Sequence, residues 1–144
     1  MISWMETGGG NPSSVHAEGR AGRAGLAGAR QELAGLLGAH AGDLVWTGSA
    51  TEANNLAIKG LAHGPDAQER SRICTSAAAH PSALEPVRWL AEHVKGVDGL
   101  VLPVDSDGRV ALEALRDAMG RNPLLVSVIA ANNETGVVED LEAV

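Results

Sequence analysis

With 144 residues, 44% hydrophobic, 20% charged and 18 glycines, the chain has room for one domain with a real core and shows an ordinary globular balance tilted towards backbone flexibility. A net charge of -7 argues against nucleic-acid backbones and anionic membranes as main partners. It leaves small phosphorylated ligands open, because a helix N-terminus binds those locally. The opening ten residues have neither the basic start nor the apolar run of a signal peptide, and no later run is long enough to span a bilayer, so a cytoplasmic protein is expected. The single cysteine, Cys74, cannot form an internal disulfide, which fits a reducing compartment.

Residues 1–10 are expected to be irregular. Turn residues Asn11-Pro12-Ser13-Ser14 then precede a helical pattern from about Val15 to Leu37, in which Leu26, Ala29, Leu33 and Leu36 make one apolar stripe. Five glycines inside it, Gly19, Gly22, Gly25, Gly28 and Gly35, each cost roughly 0.5 to 1 kcal/mol relative to alanine, so packing must hold this helix, and Gly38 supplies its stop. From Asp43 the pattern becomes alternating strand and helix. Leu44 to Thr47 reads as a first strand and Thr51 to Leu61 as its helix; Ile73 to Ser76 reads as a second strand. A helix over roughly Ser82 to Val94 follows, with Leu84, Val87, Leu90 and Val94 inward. Its cap is either Ser82, with Glu85 as reciprocal partner and Pro86 in the first turn, or His80, with Pro81 first and Pro86 deeper. Leu100 to Leu102 is a third strand, Asp105 to Gly108 a turn, and Leu112 to Met119 a helix stopped by Gly120. Leu124 to Ala130 is an almost unbroken apolar run that suits a parallel strand covered on both faces. The expected fold class is α/β, a mostly parallel sheet of about four strands flanked by helices and preceded by a long N-terminal helix.

A parallel sheet places its ligand beyond the carboxyl ends of its strands. Three ends stand out: Gly48-Ser49-Ala50-Thr51, Ala77-Ala78-Ala79-His80 and Asn132-Asn133-Glu134-Thr135-Gly136. In the first, Ser49 followed by Glu52 is the reciprocal capping pattern, in which the carboxylate reaches back to the cap's own N–H. Gly48 permits a sharp turn, and the N–H groups of Ala50 and Thr51 lie at the positive end of the helix dipole, where a phosphate is welcome. Each feature also has a plainer reading: an ordinary capped helix at Ser49, a cap or surface group at His80, turn formers at Asn132 and Asn133. The other histidines, His16, His40, His63 and His93, show no metal-ligand spacing with one another or with Cys74, so no metal is expected. The glycine-rich signatures of nucleotide-binding loops are absent as well.

Four blocks together, Asn11-Pro12-Ser13-Ser14-Val15-His16, Thr47 to Ile58, His80 to Pro86 and Asn132 to Gly136, resemble the cysteine desulfurases of the class-V aminotransferase superfamily. These are fold-type-I enzymes dependent on pyridoxal 5'-phosphate (PLP). The blocks occur in the family's order and spacing and cover about Asn11 to Val144, which marks residues 11–144 as part of a PLP-binding domain. The resemblance implies that Ala50 and Thr51 bind the cofactor's phosphate, that His80 stacks on the pyridine ring and moves protons, and that Asn133 hydrogen-bonds the phenolic oxygen. It further implies L-cysteine as substrate, a sulfur-acceptor protein, and a homodimer as the complete enzyme. The activity implied is conversion of cysteine to alanine with sulfur carried as an enzyme persulfide, for iron–sulfur cluster assembly or thio-modification.

The departures from that pattern bear on competence. The family's Schiff-base lysine, its ring-nitrogen aspartate and its mobile-loop cysteine lie beyond the point matching Val144. Neither Lys59 nor Lys95, the two lysines here, matches the Schiff-base position, and Cys74 falls inside a predicted buried strand. The family's opening strand is missing, and residues 1–10 look like a replacement for it or a misassigned start. The chain is therefore expected to be a partial domain, inactive alone and weak in PLP binding. A selenocysteine lyase or an aminotransferase of the same class is an alternative, as is a non-enzymatic fragment.

Overall fold

The computed structural model describes residues 2–6 and 9–144, with the side chains of residues 2 and 3 left aside. The chain forms two compact units, one running up to Trp46 and the other from Thr47 to Val144.

In the first unit a short helix, α1 (Ile2–Glu6), stands where an irregular start is expected, and the long helix α2 spans Ala17–Leu37. His16 caps α2, its Nδ1 accepting the Gly19 N–H at 3.3 Å, and Gly38 closes it in the left-handed conformation at φ 64°. The apolar stripe does not make the core that its spacing suggests: Leu26 and Leu36 are exposed, and the buried positions of α2 are Gly19, Gly22 and Ala34. The glycines explain this. A methyl at Gly19 would lie 2.4 Å from the Ser14 carbonyl oxygen, at Gly22 2.6 Å from the Gly10 carbonyl oxygen, and at Gly25 2.2 Å from the Trp4 ring. The leading segment thus lies directly on the helix backbone, and what looked like a helix weakened by glycine is a helix shaped to admit close approach. Arg23 fastens the same segment by donating from Nε to the Pro12 carbonyl at 2.9 Å.

Leu44 to Thr47 forms no strand. Arg30 of α2 donates from Nη1 to the Leu44 carbonyl and its guanidinium carbon lies 5.4 Å from the Trp46 ring centroid, so a side chain occupies a carbonyl that a sheet ladder would need.

The second unit holds three parallel strands, β1 (Arg72–Ser76), β2 (Asp98–Leu102) and β3 (Leu125–Ser127), in the order β2-β1-β3. Three helices accompany them: α3 (Ala50–Ala62), α4 (Pro81–His93) and α5 (Leu112–Met119). Side-chain alternation along the strands divides the core in two. Ile73, Val101 and Leu125 join Ile58 and Ala62 of α3 and Leu84, Val87 and Leu90 of α4. Cys74, Leu100, Leu102 and Val126 join Val110 and the α5 residues Leu115 and Ala118. A central strand covered on both faces must be apolar almost throughout, and β1 is buried from Ile73 to Ser76, the Thr75 hydroxyl having no hydrogen-bond partner there. The fourth expected strand is shorter than its apolar run. Leu125 to Ser127 pairs with Ile73 to Thr75, after which β1 has nearly ended, and the Ala130 carbonyl instead accepts the Glu139 N–H at 2.9 Å.

Of the two caps left open for α4, the structure uses His80, with Pro81 at the first helical position and Pro86 inside a helix that continues past it. The turn at Asp105 forms as expected: Asp105 Oδ1 accepts the N–H groups of Asp107 and Arg109 at 2.9 and 3.0 Å, and Gly108 supplies φ 83°.

Two glycine substitutions separate close approach from simple propensity. Gly99 of β2 faces α4, where an added methyl would meet the Val87 carbonyl oxygen at 2.7 Å and Ala91 Cβ at 2.8 Å; Gly99→Ala is expected to destabilise by about 1–3 kcal/mol through overpacking. Gly28 of α2 has nothing within 4 Å of such a methyl, so Gly28→Ala is expected to stabilise by about 0.5–1 kcal/mol. Urea unfolding midpoints of the two variants, moving in opposite directions, check both.

Candidate functional site

The N-terminus of α3 is built much as its sequence suggests. Ser49 is the cap, its Oγ accepting the Glu52 N–H at 3.1 Å, while the Glu52 carboxylate accepts the Gly48 N–H at 2.8 Å rather than the cap's own. Gly48 does not take a left-handed turn. A methyl there would lie 3.3 Å from Glu52 Oε2, the end of a flexible side chain, so the structure places no strict demand for glycine at this position. With the cap satisfied in this way, neither Ser49 nor Glu52 engages the Ala50 and Thr51 N–H groups, and both lie in a first turn that offers them no carbonyl.

The N-terminal turn of α4 opens onto the same groove. Thr51, Asn55 and Lys59 of α3 face His80, Pro81, Ser82, Glu85 and Pro86 across an open hollow of about 330 Å³. A smaller hollow of about 210 Å³ lies on the other side of His80, lined by Asn54, Ala79, Ala83 and by Ser127, Val128 and Ile129 at the end of β3. His80 therefore stands between the helix N-termini and the sheet edge. The third expected loop is tied to it through the backbone: Asn132 Nδ2 donates to the Ala78 carbonyl at 2.9 Å, and Asn132 Oδ1 accepts the N–H groups of Glu134 and Thr135 at 2.8 and 3.0 Å. Asn132 is thus a turn former, as its plainer reading has it, and also the clasp between the loops after β1 and β3. Asn133 is exposed and its side chain has no hydrogen-bond partner among the described residues.

Of the four residues singled out from sequence, Thr51 and His80 share a groove, Ala50 begins the helix that lines it, and Asn133 follows the residue that ties its loop to the one before His80. Sequence reading missed Asn54, Asn55, Ser82 and Glu85. Their spacing carried a usable signal: Thr51, Asn55 and Lys59 recur every fourth residue, which places them along one helix face. Ser82 is buried and bonds both His80 and Asn54.

Lys59 lines the hollow itself, and Cys74 lies in β1, the strand that leads to His80. The Lys59 ammonium lies 4.5 Å from the centroid of the Trp89 ring, a cation–π arrangement that engages it with the indole face, and Lys95 is exposed beyond the end of α4. Cys74 is wholly buried in β1; burial pushes its thiol up, with the Arg72 guanidinium opposing and the Asp98 carboxylate adding to the effect. Among the described residues no cluster of three or more histidine, cysteine, aspartate or glutamate side chains could hold a metal ion, and no helix is long and apolar enough to cross a membrane.

The groups on this rim suit a flat, phosphorylated ligand. Free amides and a hydroxyl at a helix N-terminus accommodate a dianion, an imidazole offers a ring face, and an uncommitted amide stands on the neighbouring loop. The family model for class-V aminotransferases matches residues 2–144, so the opening residues expected to be a replacement fall within the match. The cysteine desulfurase IscS of Dictyoglomus turgidum is 37% identical over 133 residues, covering 92% of this chain and 33% of that protein. Among solved structures, DndA from Streptomyces lividans superposes with a TM-score of 0.79 at 37% identity, over 96% of this chain and 38% of DndA. SspA, solved in complex with cysteine, has a TM-score of 0.77 at 31% identity, over 97% of this chain and 40% of SspA. The chain thus spans about a third of the length of the curated relatives it matches. The family-model match over residues 2–144 settles the family: this chain belongs to the class-V aminotransferases.

Proposed function

We propose that these residues form the phosphate cup and ring-facing wall of a PLP-dependent cysteine desulfurase. The whole protein would convert L-cysteine to L-alanine and pass the sulfur, as a persulfide on an enzyme cysteine, to an acceptor protein for iron–sulfur cluster assembly or thio-modification. The observation that carries this reading is the shared groove of Thr51 and His80, with the Asn132 loop fastened beside it. In this site the Ala50 and Thr51 amides and the Thr51 hydroxyl would hold the phosphate, the His80 ring would face the pyridine, and the Asn133 amide would serve the phenolic oxygen. PLP, when bound, supplies the electron sink for chemistry at the amino acid's α-carbon. The likeness to SspA, solved with cysteine, supports the substrate class. A homodimer in the cytoplasm, acting on a small amino acid and not on nucleic acid, is part of the same proposal and accords with the net charge of -7.

Neither lysine matches the family's Schiff-base position, although Lys59 lines the groove, and Cys74 does not match its mobile-loop cysteine. Lys59 is engaged with Trp89, Lys95 lies beyond α4, and Cys74 is enclosed in the sheet. By itself the chain would hold PLP by phosphate and ring contacts only.

Titration of the purified chain with PLP, followed by absorbance, tests this. Weak saturable binding is expected, displaced by inorganic phosphate and weakened about tenfold or more by Thr51→Ala, since a hydrogen bond to a charged group is worth about 1.5–3 kcal/mol. Binding indifferent to both phosphate and Thr51→Ala would overturn the assignment, and cysteine-dependent sulfide release by the chain alone would overturn its expected inactivity. Cys74 gives an independent check. A raised, buried thiol has little thiolate at neutral pH, so a thiol-specific colorimetric reagent should react negligibly with the native chain and with one equivalent in denaturant.

A further inference from the structure

We propose that Ser82, oriented by Asn54, is a positioning residue that fixes the His80 imidazole with its hydrogen on Nε2. The inference rests on the reading of His80 as the ring-facing wall of the site and concerns how that wall is held. Three hydrogen bonds define the network. The Ser82 backbone N–H donates to His80 Nδ1 at 3.1 Å, Ser82 Oγ lies 2.9 Å from the same Nδ1, and Asn54 Nδ2 donates to Ser82 Oγ at 2.8 Å.

Counting donors fixes the roles. A backbone N–H can only donate, so Nδ1 presents its lone pair. Because Nδ1 accepts the backbone N–H and so carries no hydrogen, the Ser82 hydroxyl 2.9 Å away is the donor and shares that lone pair, while the Asn54 amide occupies a lone pair of the hydroxyl oxygen. In the neutral ring the hydrogen must then be on Nε2, and the imidazole meets any ligand with an Nε2–H donor and an open ring face. The network is sheltered, because Ser82 is only 7% exposed, whereas His80 itself is open to the groove. It also draws on two elements, since Asn54 belongs to α3 while Ser82 and His80 stand at the start of α4. The helix that offers the phosphate amides therefore also sets the orientation of the ring. This arrangement serves stacking and hydrogen-bond donation from Nε2; proton pick-up at Nδ1 would require the Ser82 N–H bond to break first.

Nitrogen NMR of the ¹⁵N-labelled chain, without PLP and at a pH about two units above that of an ordinary imidazole, reads the network directly. The His80 signals are identified by their loss in His80→Gln. For the unsubstituted chain, an Nε2–H ring is expected with an Nδ1 shifted upfield as a hydrogen-bonded acceptor. Ser82→Ala should move Nδ1 downfield by several parts per million, Ser82→Thr should restore it, and Asn54→Ala should move it the same way by less. If Ser82→Ala does not fold, as judged from its amide spectrum, Asn54→Ala carries the same test. A hydrogen on Nδ1 in the unsubstituted chain, or ring nitrogens unmoved in whichever of the two variants folds, would overturn the proposal. Addition of PLP then separates this from the parent reading: ring-current shifts at His80 test the cofactor site, whereas the nitrogen shifts before addition test the network alone.

Discussion

The pairing of β1 with a parallel neighbour on each side is the constraint on which the second unit depends. Arg72 to Ser76 lies opposite Asp98 to Leu102 on one edge and shares Ile73 to Thr75 with Leu125 to Ser127 on the other. A strand enclosed in this way sends alternate side chains into two different cores, and both must be apolar. α3 and α4 close one face and α5 is packed into the other. The direction of the strands then decides where chemistry can occur. Parallel strands end together, so the loops after β1 and β3 leave from one side of the sheet, and a single amide from Asn132 to the Ala78 carbonyl is enough to bind them.

The same geometry explains how helix ends become a site rather than a defect. Each helix begins with N–H groups that its own carbonyls cannot reach. α4 satisfies its first amides with a histidine side chain and a leading proline, while α3 satisfies one with the Ser49 hydroxyl and its Glu52 carboxylate holds the Gly48 N–H just ahead of the helix. At α3 the Ala50 and Thr51 amides remain unclaimed, and Thr51 lines the groove where His80 stands. The cap of one helix is thus the wall of the pocket made by the other, and the residues that end the helices neatly are also the ones available to a ligand.

Much of this was legible in the sequence because the signals were local and periodic. The Ser49 cap, though not the reach of Glu52 past it to Gly48, the α5 boundaries at Leu112 and Met119, and the inward face of Leu84, Val87 and Leu90 follow from spacing alone. The misses came from contacts between distant segments. Leu44 to Thr47 has the composition of a strand, yet Arg30 takes the Leu44 carbonyl, a choice that depends on a residue 14 positions away. Leu124 to Ala130 reads as a long strand, but its partner β1 limits the pairing to Leu125–Ser127. At the site, family likeness pointed to Ala50, Thr51, His80 and Asn133, while the supporting Asn54–Ser82 bond joins residues 28 positions apart and leaves no mark in local pattern.

The glycines of α2 reverse the usual relation between exposure and tolerance to change. On most helices large buried side chains are constrained and small ones are free; here Leu26 and Leu36 stand in solvent, while Gly19, Gly22 and Gly25 touch the main chain or the indole of the leading segment. Contact of backbone with backbone leaves no side chain to re-orient and absorb an error. The narrowest residues of the helix are therefore its least replaceable, and drift in this part of the sequence should accumulate on its bulkiest ones.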